Sequence, residues 1–293
     1  MFIVAIEGGL GNQMFQYAFF TALREHYEKE QMKLDLSLIN PAMHNGYELQ
    51  KIFGICQPLC TSKEVIMYSE DCSKNILFGR LWTFIWAVRR NLLGRKKSFI
   101  YQKDPTEYCS LIENLDQNRN YYFKGVWANH RYFHQYEDVI RKTFIFPTIS
   151  DKQNLMWKEK IEKTNSVSIH FRGGDYYKEN FPIMGQEYYA KAIAFLKKRF
   201  KELVFFIFTD DLANAKKSIG NIDNCYYIDN NHGNNSFIDM QLMSLCKHNI
   251  MANSTFSFWG AYLNSNEEKI VIGPRSMVGK CSEPYYFEGV ILL

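Results

Sequence analysis

An α/β fold built on parallel sheets is what this 293-residue sequence predicts, and three observations predict it. The chain opens with a short apolar, β-branched run, Phe2 to Ile6, that ends in Gly8-Gly9-Leu10-Gly11. Its second half alternates apolar runs with amphipathic stretches of helical period. One of those runs, Leu203 to Phe208 (LVFFIF), is apolar without interruption, as a strand buried on both faces of a parallel sheet must be.

Taken in order, Phe2 to Ile6 reads as a buried strand. From Asn12 to about Glu30 the pattern is helical, with Met14, Phe15, Ala18, Phe19, Ala22 and Leu23 recurring at steps of three and four. Lys33 to Leu38 alternates like a strand. The segment from 40 to 120 is less regular. It holds an apolar run, Ile76 to Val88, read as a helix at a surface or interface, and a basic segment, Arg89 to Lys97. Tyr121 to Trp127 reads as a strand and Asn129 to Phe144 as a helix. After Pro147 the alternation is clear. Strands are expected at Ser166 to Phe171, Leu203 to Phe208, Tyr226 to Ile228, Asn249 to Ala252 and Lys269 to Ile272, the last closing the series. Helices are expected at Gln186 to Phe200, at Phe237 to Cys246 and, after Asn253-Ser254-Thr255, through Leu263. Repeated in this way, the units imply right-handed crossovers. The predicted domains are 1–150 and 151–293, with the break inside 147–165.

Composition narrows the class. Apolar residues make up 46% of the chain and aromatics 16%, enough for a sizeable core. Packing accounts for most of the aromatic excess, with sugar-binding platforms the sharper alternative. A net charge of +4 suits an anionic small molecule and does not call for nucleic acid. The seven cysteines are scattered, which argues against a zinc site or a disulfide framework and for a reduced, cytoplasmic setting. The N-terminus lacks the pattern of a signal peptide, and no apolar run reaches the roughly 18 to 20 residues of a membrane span.

In open α/β sheets ligands bind beyond the carboxyl ends of strands, and four such ends carry unusual residues. The first is Gly8 to Gln13 (GGLGNQ), where Gly9 and Gly11 allow close backbone approach to a ligand and a helix start offers free N–H groups. It fits neither the dinucleotide nor the P-loop pattern, and the plain alternative is a turn with Asn12 as helix cap. The second is His170 to Tyr176 (HFRGGDY). Arg172 is suited to grip a pyrophosphate, and His170, two residues back, projects from the same strand face. The alternative is an exposed Arg172–Asp175 pair. The third is Thr209-Asp210-Asp211, whose carboxylates suit guanine or ribose donors, a metal, or a helix cap. The fourth is Asn253 to Trp259, where Ser254, Thr255 and Ser257 make a second phosphate cradle and Phe256 a platform for base or sugar. Its alternative is a capped helix with an apolar face.

In this order the four segments resemble the bacterial α-1,2-fucosyltransferase family. GGLGNQMFQYA is similar to that family's N-terminal signature and HFRGGDY to its H-x-R-R-G-D-Y motif. FTDD, CKHNIMANSTFSFWGAYLN and YFKGVWANHRYF (Tyr122 to Phe133) are similar to its further motifs. Gly173 stands where the family usually has a second Arg. The resemblance implies a GT-B-like fold, two Rossmann-like domains facing across a cleft, with an N-terminal acceptor side and a C-terminal side binding GDP-fucose. It implies transfer of L-fucose from GDP-β-L-fucose to the 2-hydroxyl of a terminal galactose, with inversion and without a metal. Arg172 would contact the β-phosphate, and Arg172, Asn12 and Asp175 would form the catalytic set. His170, Gly9, Gly11, Asp210, Asp211, Ser254, Thr255, Phe256 and Ser257 would hold the donor. Asp175, Glu7 and His170 are candidates for the base by residue type alone. The acceptor would be a galactose-terminated oligosaccharide, and the region Arg80 to Lys97 offers a face for peripheral membrane contact, or simply a basic helix pair. Three rivals remain: a non-catalytic nucleotide-sugar or glycan-binding protein, a metal-dependent glycosyltransferase using Asp210 and Asp211, and a fucosyltransferase of another linkage or with a protein acceptor.

Overall fold

Parallel pairing governs every strand contact in the computed structural model, which describes residues 1–28, 31–40, 44–70, 78–174, 182–275 and 286–293. The chain divides into two compact units, Met1–Thr143 and Phe144–Leu293.

The first unit runs β1 (Phe2–Ala5), α1 (Leu10–Tyr27), β2 (Met32–Asp35), α2 (Glu48–Phe53), α3 (Ser62–Tyr68), α4 (Gly79–Leu93), β3 (Phe99–Tyr101), β4 (Tyr121–Lys124) and α5 (Glu137–Thr143). Its sheet has the order β2-β1-β4-β3, so the direction of winding reverses between β1 and β4. Helix α1 is apolar on nearly all sides until Arg24, and it is accordingly buried almost all round. Phe2 packs edge-on against Tyr27, Tyr121 and Phe123 and ties the end of α1 to the sheet.

Two expectations fail here for a local reason. The strand from Tyr121 stops at Lys124, and Trp127 takes a left-handed backbone, φ 57°. The single helix expected over 129–144 is instead two 3-10 turns, His130–Tyr132 and His134–Tyr136, followed by α5. The Asn129 side chain caps the first turn by accepting from Arg131 N at 3.0 Å. Phe133, fully buried against Phe15, breaks the run at φ −132°. Burying that ring outweighs continuing the helix.

The second unit runs α6 (Lys152–Glu162), β5 (Asn165–Phe171), α7 (Gln186–Lys197), β6 (Leu203–Thr209), α8 (Leu212–Ile219), β7 (Cys225–Ile228), α9 (Phe237–Leu245), β8 (His248–Ile250), α10 (Thr255–Tyr262), β9 (Val271–Gly273) and β10 (Val290–Leu292). The sheet order is β10-β9-β8-β5-β6-β7. The strand at 271–273 does not close the series, because β10 pairs beside it. Phe205 and Ile207 of β6 pack with Val167, Ile169, Tyr189 and Leu196, while Phe206 and Phe208 are buried on the opposite face. That double burial is why the run carries no polar alternation.

Candidate active site

Strand β5 stands where the order of the second sheet reverses, with β6 and β7 on one side and β8, β9 and β10 on the other. This is the position at which doubly wound sheets bind ligands. Arg172 follows β5 directly. Its Nη1 lies 2.9 Å from Asp210 Oδ2, with both side chains about a quarter to a third exposed (26% and 31%). Asp210 Oδ1 also accepts from Gly173 N at 3.0 Å. One carboxylate thus orients the guanidinium and pins the loop behind it, so Asp210 pairs with Arg172 while Asp175 lies outside the described residues. Both glycines are pressed against this acidic end of β6. A Cβ on Gly174 would sit 2.7 Å from Asp210 Oδ2, and one on Gly173 would sit 2.9 Å from Asp211 Cβ and 3.1 Å from Phe171 Cε1. A second arginine at 173 would therefore displace Asp211.

Asp211, expected among the donor contacts, is spent on structure. It caps α8, accepting from Asn214 N at 3.2 Å and from Asn214 Nδ2 at 2.7 Å. Ser257 is likewise turned inward, its hydroxyl donating to Ala252 O or Ser254 O in the core. Ser254 caps α10 through Phe256 N at 3.3 Å. Thr255 and Phe256 occupy the half-buried first turn of that helix.

The Phe256 ring lies 5.6 Å from the imidazole of His170. His170 is buried, and its Nδ1 has no hydrogen-bond partner among the described residues. Such atoms are rare inside proteins. Burial, and then the charge of Arg172, lower its pKa to about 3, so the ring is neutral near pH 7.

The sequence reading missed Asp239, in the first turn of α9. Its Oδ1 accepts from Asn231 Nδ2 at 2.7 Å, and Asn231 is held in turn by Asn154. Burial chiefly, with the charges of Asp229 and Asp210, pushes its pKa up to about 8. Asp239 is therefore a protonated acid within electrostatic reach of Asp210. A lone carboxyl in the apolar run FIDMQLM was the available signal.

In the first unit the Gly8–Gln13 loop follows β1, again where the strand order reverses. Gly9, not Asn12, is the N-cap of α1. Asn12 lies within the first turn, its N–H donating to Gly9 O at 3.0 Å. Gly8 has φ +79°, and a Cβ there would meet Asn12 Nδ2 at 2.7 Å. Gly11 is buried in the same turn, which carries no acidic side chain and no side-chain cap. Two buried glutamines, also missed, build the loop. Gln13 donates to Gly8 O and Gly46 O, both at 2.8 Å, and accepts from Glu48 N at 2.9 Å. Gln16 accepts from Glu7 N at 3.0 Å and donates to Gly125 O at 3.1 Å, linking the ends of β1 and β4.

Residues 96–278 match the pattern of glycosyl transferase family 11. Over 93% of its length the chain is 34% identical to an Alpha-1,2-colitosyltransferase of Escherichia coli, covering 90% of that protein. The chain belongs to glycosyl transferase family 11. This glycosyltransferase is also 33% identical, over 92% of each chain, to the O-antigen biosynthesis glycosyltransferase WbnK of Escherichia coli. Mouse Galactoside 2-alpha-L-fucosyltransferase Sec1 aligns at 24% identity with 91% of it, over 65% of that relative. Among solved structures, NodZ alpha-1,6-fucosyltransferase soaked with GDP-fucose superposes with a TM-score of 0.53 at 15% identity, over 89% of this chain and 91% of that one. The expected GT-B-type α/β fold with two parallel-sheet units is thus observed. Membership makes this chain a glycosyltransferase with a nucleotide-sugar donor and a glycan acceptor. Among the described residues no helix is long and apolar enough to cross a membrane.

Proposed function

We propose that this family 11 enzyme transfers L-fucose from GDP-β-L-fucose to the 2-hydroxyl of a galactose-terminated glycan, inverting to an α-1,2 linkage. The observation that carries the reading is Arg172, set at the switch point of the second sheet and oriented by Asp210. In this reading the second unit binds the donor and the first serves the acceptor. The guanidinium binds the pyrophosphate and stabilises the charge that grows on GDP as the glycosidic bond breaks. Thr255 and Phe256, in the first turn of α10, supply further contacts. In this reading Asp239 takes the base: a carboxylate accepts from both guanine N1–H and the exocyclic amine. Asp210 and Asp211 are engaged by Arg172, Gly173 and Asn214, so the reading routes charge stabilisation through Arg172 rather than a metal.

The test is Arg172→Ala, assayed for GDP-fucose turnover on lactose with linkage analysis of the product. Turnover near that of the unaltered enzyme would remove the site assignment. Colitose is the second donor sugar to weigh, because the 34% identical relative is a colitosyltransferase. Offering the guanosine diphosphate sugars of fucose and of colitose side by side decides between them.

A further inference from the structure

Seven of the sixteen large apolar side chains exposed among the described residues fall within Phe78 to Leu93, on or beside α4. Helical geometry sorts them. Leu81, Phe84, Ile85, Val88 and Leu92 follow the spacing of one stripe, and Phe84 and Leu92 are 66% and 77% exposed. Trp82 and Trp86 lie on a different face and pack on the core of Ile3, Ala5, Val65, Phe99 and Tyr122. The helix is therefore already seated on its own unit, and the outward stripe is surplus to that packing.

The charge around the stripe identifies what it fits. Helix α4 carries no acidic residue. Arg89 and Lys96 are engaged in the fold: Arg89 pairs with Glu70 at 3.2 Å, and the Lys96 ammonium stands 3.5 Å from the centre of the Trp86 ring. Arg80, Arg95 and Lys97 are exposed and Arg90 half-buried. An exposed apolar stripe bordered by arginine and lysine, with no acid on the helix, matches the surface of an anionic bilayer. We propose that the outer face of α4 docks this protein on anionic lipid, with Phe84 and Leu92 entering the acyl boundary and Arg80 and Lys97 meeting the headgroups. The inference rests on the helix surface and is independent of which sugar is transferred.

Flotation of the full chain with vesicles tests it. The protein should rise with phosphatidylglycerol–phosphatidylcholine vesicles, rise far less with phosphatidylcholine alone, and be partly released by salt. Phe84→Gln with Leu92→Gln alters only exposed positions, so the melting temperature should hold while flotation is lost. Arg80→Gln and Lys97→Gln together should weaken partition roughly thirtyfold. The proposal is overturned if the unaltered chain stays behind, if the Phe84/Leu92 variant floats as before, or if that variant instead dissociates a dimer seen by light scattering in a chain that does not float. The last result would assign the face to a second copy.

Discussion

The loops after β1 and after β5 occupy the same topological place in their units, each following the first strand at the point where its sheet reverses. They are built differently. The Gly8–Gln13 loop is neutral and is shaped from beneath by buried amides, with Gln13 and Gln16 satisfying backbone groups on either side. The His170–Gly174 loop is charged and is shaped from beside by a carboxylate, Asp210, which holds Arg172. The same topology therefore yields a rigid neutral turn in one unit and a poised cation in the other. Only the second carries a charge able to answer the one that develops on a departing diphosphate.

Breaking the charged loop should have the largest effect. Arg172→Ala should lower kcat/KM by roughly 10²- to 10³-fold, about 3 to 4 kcal/mol, with little change in urea midpoint. The neutral loop should respond in the opposite sense. Gln13→Ala strips partners from Gly8 O, Gly46 O and Glu48 N, and should cost about 2 to 3 kcal/mol of stability in urea unfolding. If Gln13→Ala instead left stability intact and abolished turnover, the contrast between the loops would collapse.

The next effect is pH dependence. Asp239 carries a proton in the free protein below about pH 8. Guanine donors favour its ionised form, so GDP binding should expel that proton. Affinity should then rise with pH, by up to about 1.4 kcal/mol per unit, and level off above the free-state value. Calorimetry in buffers of different ionisation enthalpy reads the released proton, and Asp239→Asn should show none. The smallest effect sharpens the division of labour between adjacent acids. Asp211→Ala should cost about 1 kcal/mol as a lost helix cap while leaving GDP affinity unchanged. A large loss of GDP binding would return Asp211 to the donor site.

Much of this is legible in the sequence. The apolar run of β6, the strand ends, and Arg172 beyond β5 all follow from local pattern and strand polarity. The roles of neighbouring acids are not, because Asp210 and Asp211 are equivalent by type and differ only in which one faces the Arg172 loop. Asp239 escaped notice because its chemistry comes from burial and from charges on other elements, which periodicity does not register. The break at Phe133 escaped for the same reason, since a helical pattern was overruled by a ring packed against Phe15.

By itself, the sequence determined the α/β class, most of its strands and which polar residues and glycines stand at four strand ends, because these depend on apolar periodicity and on the residue types that turns require. Only the tertiary structure decided that Asp210 serves Arg172 while Asp211 caps a helix, that His170 is neutral, and that α4 keeps an apolar stripe exposed. Those outcomes depend on distance and desolvation between residues far apart in the chain, and neither quantity is written in their order.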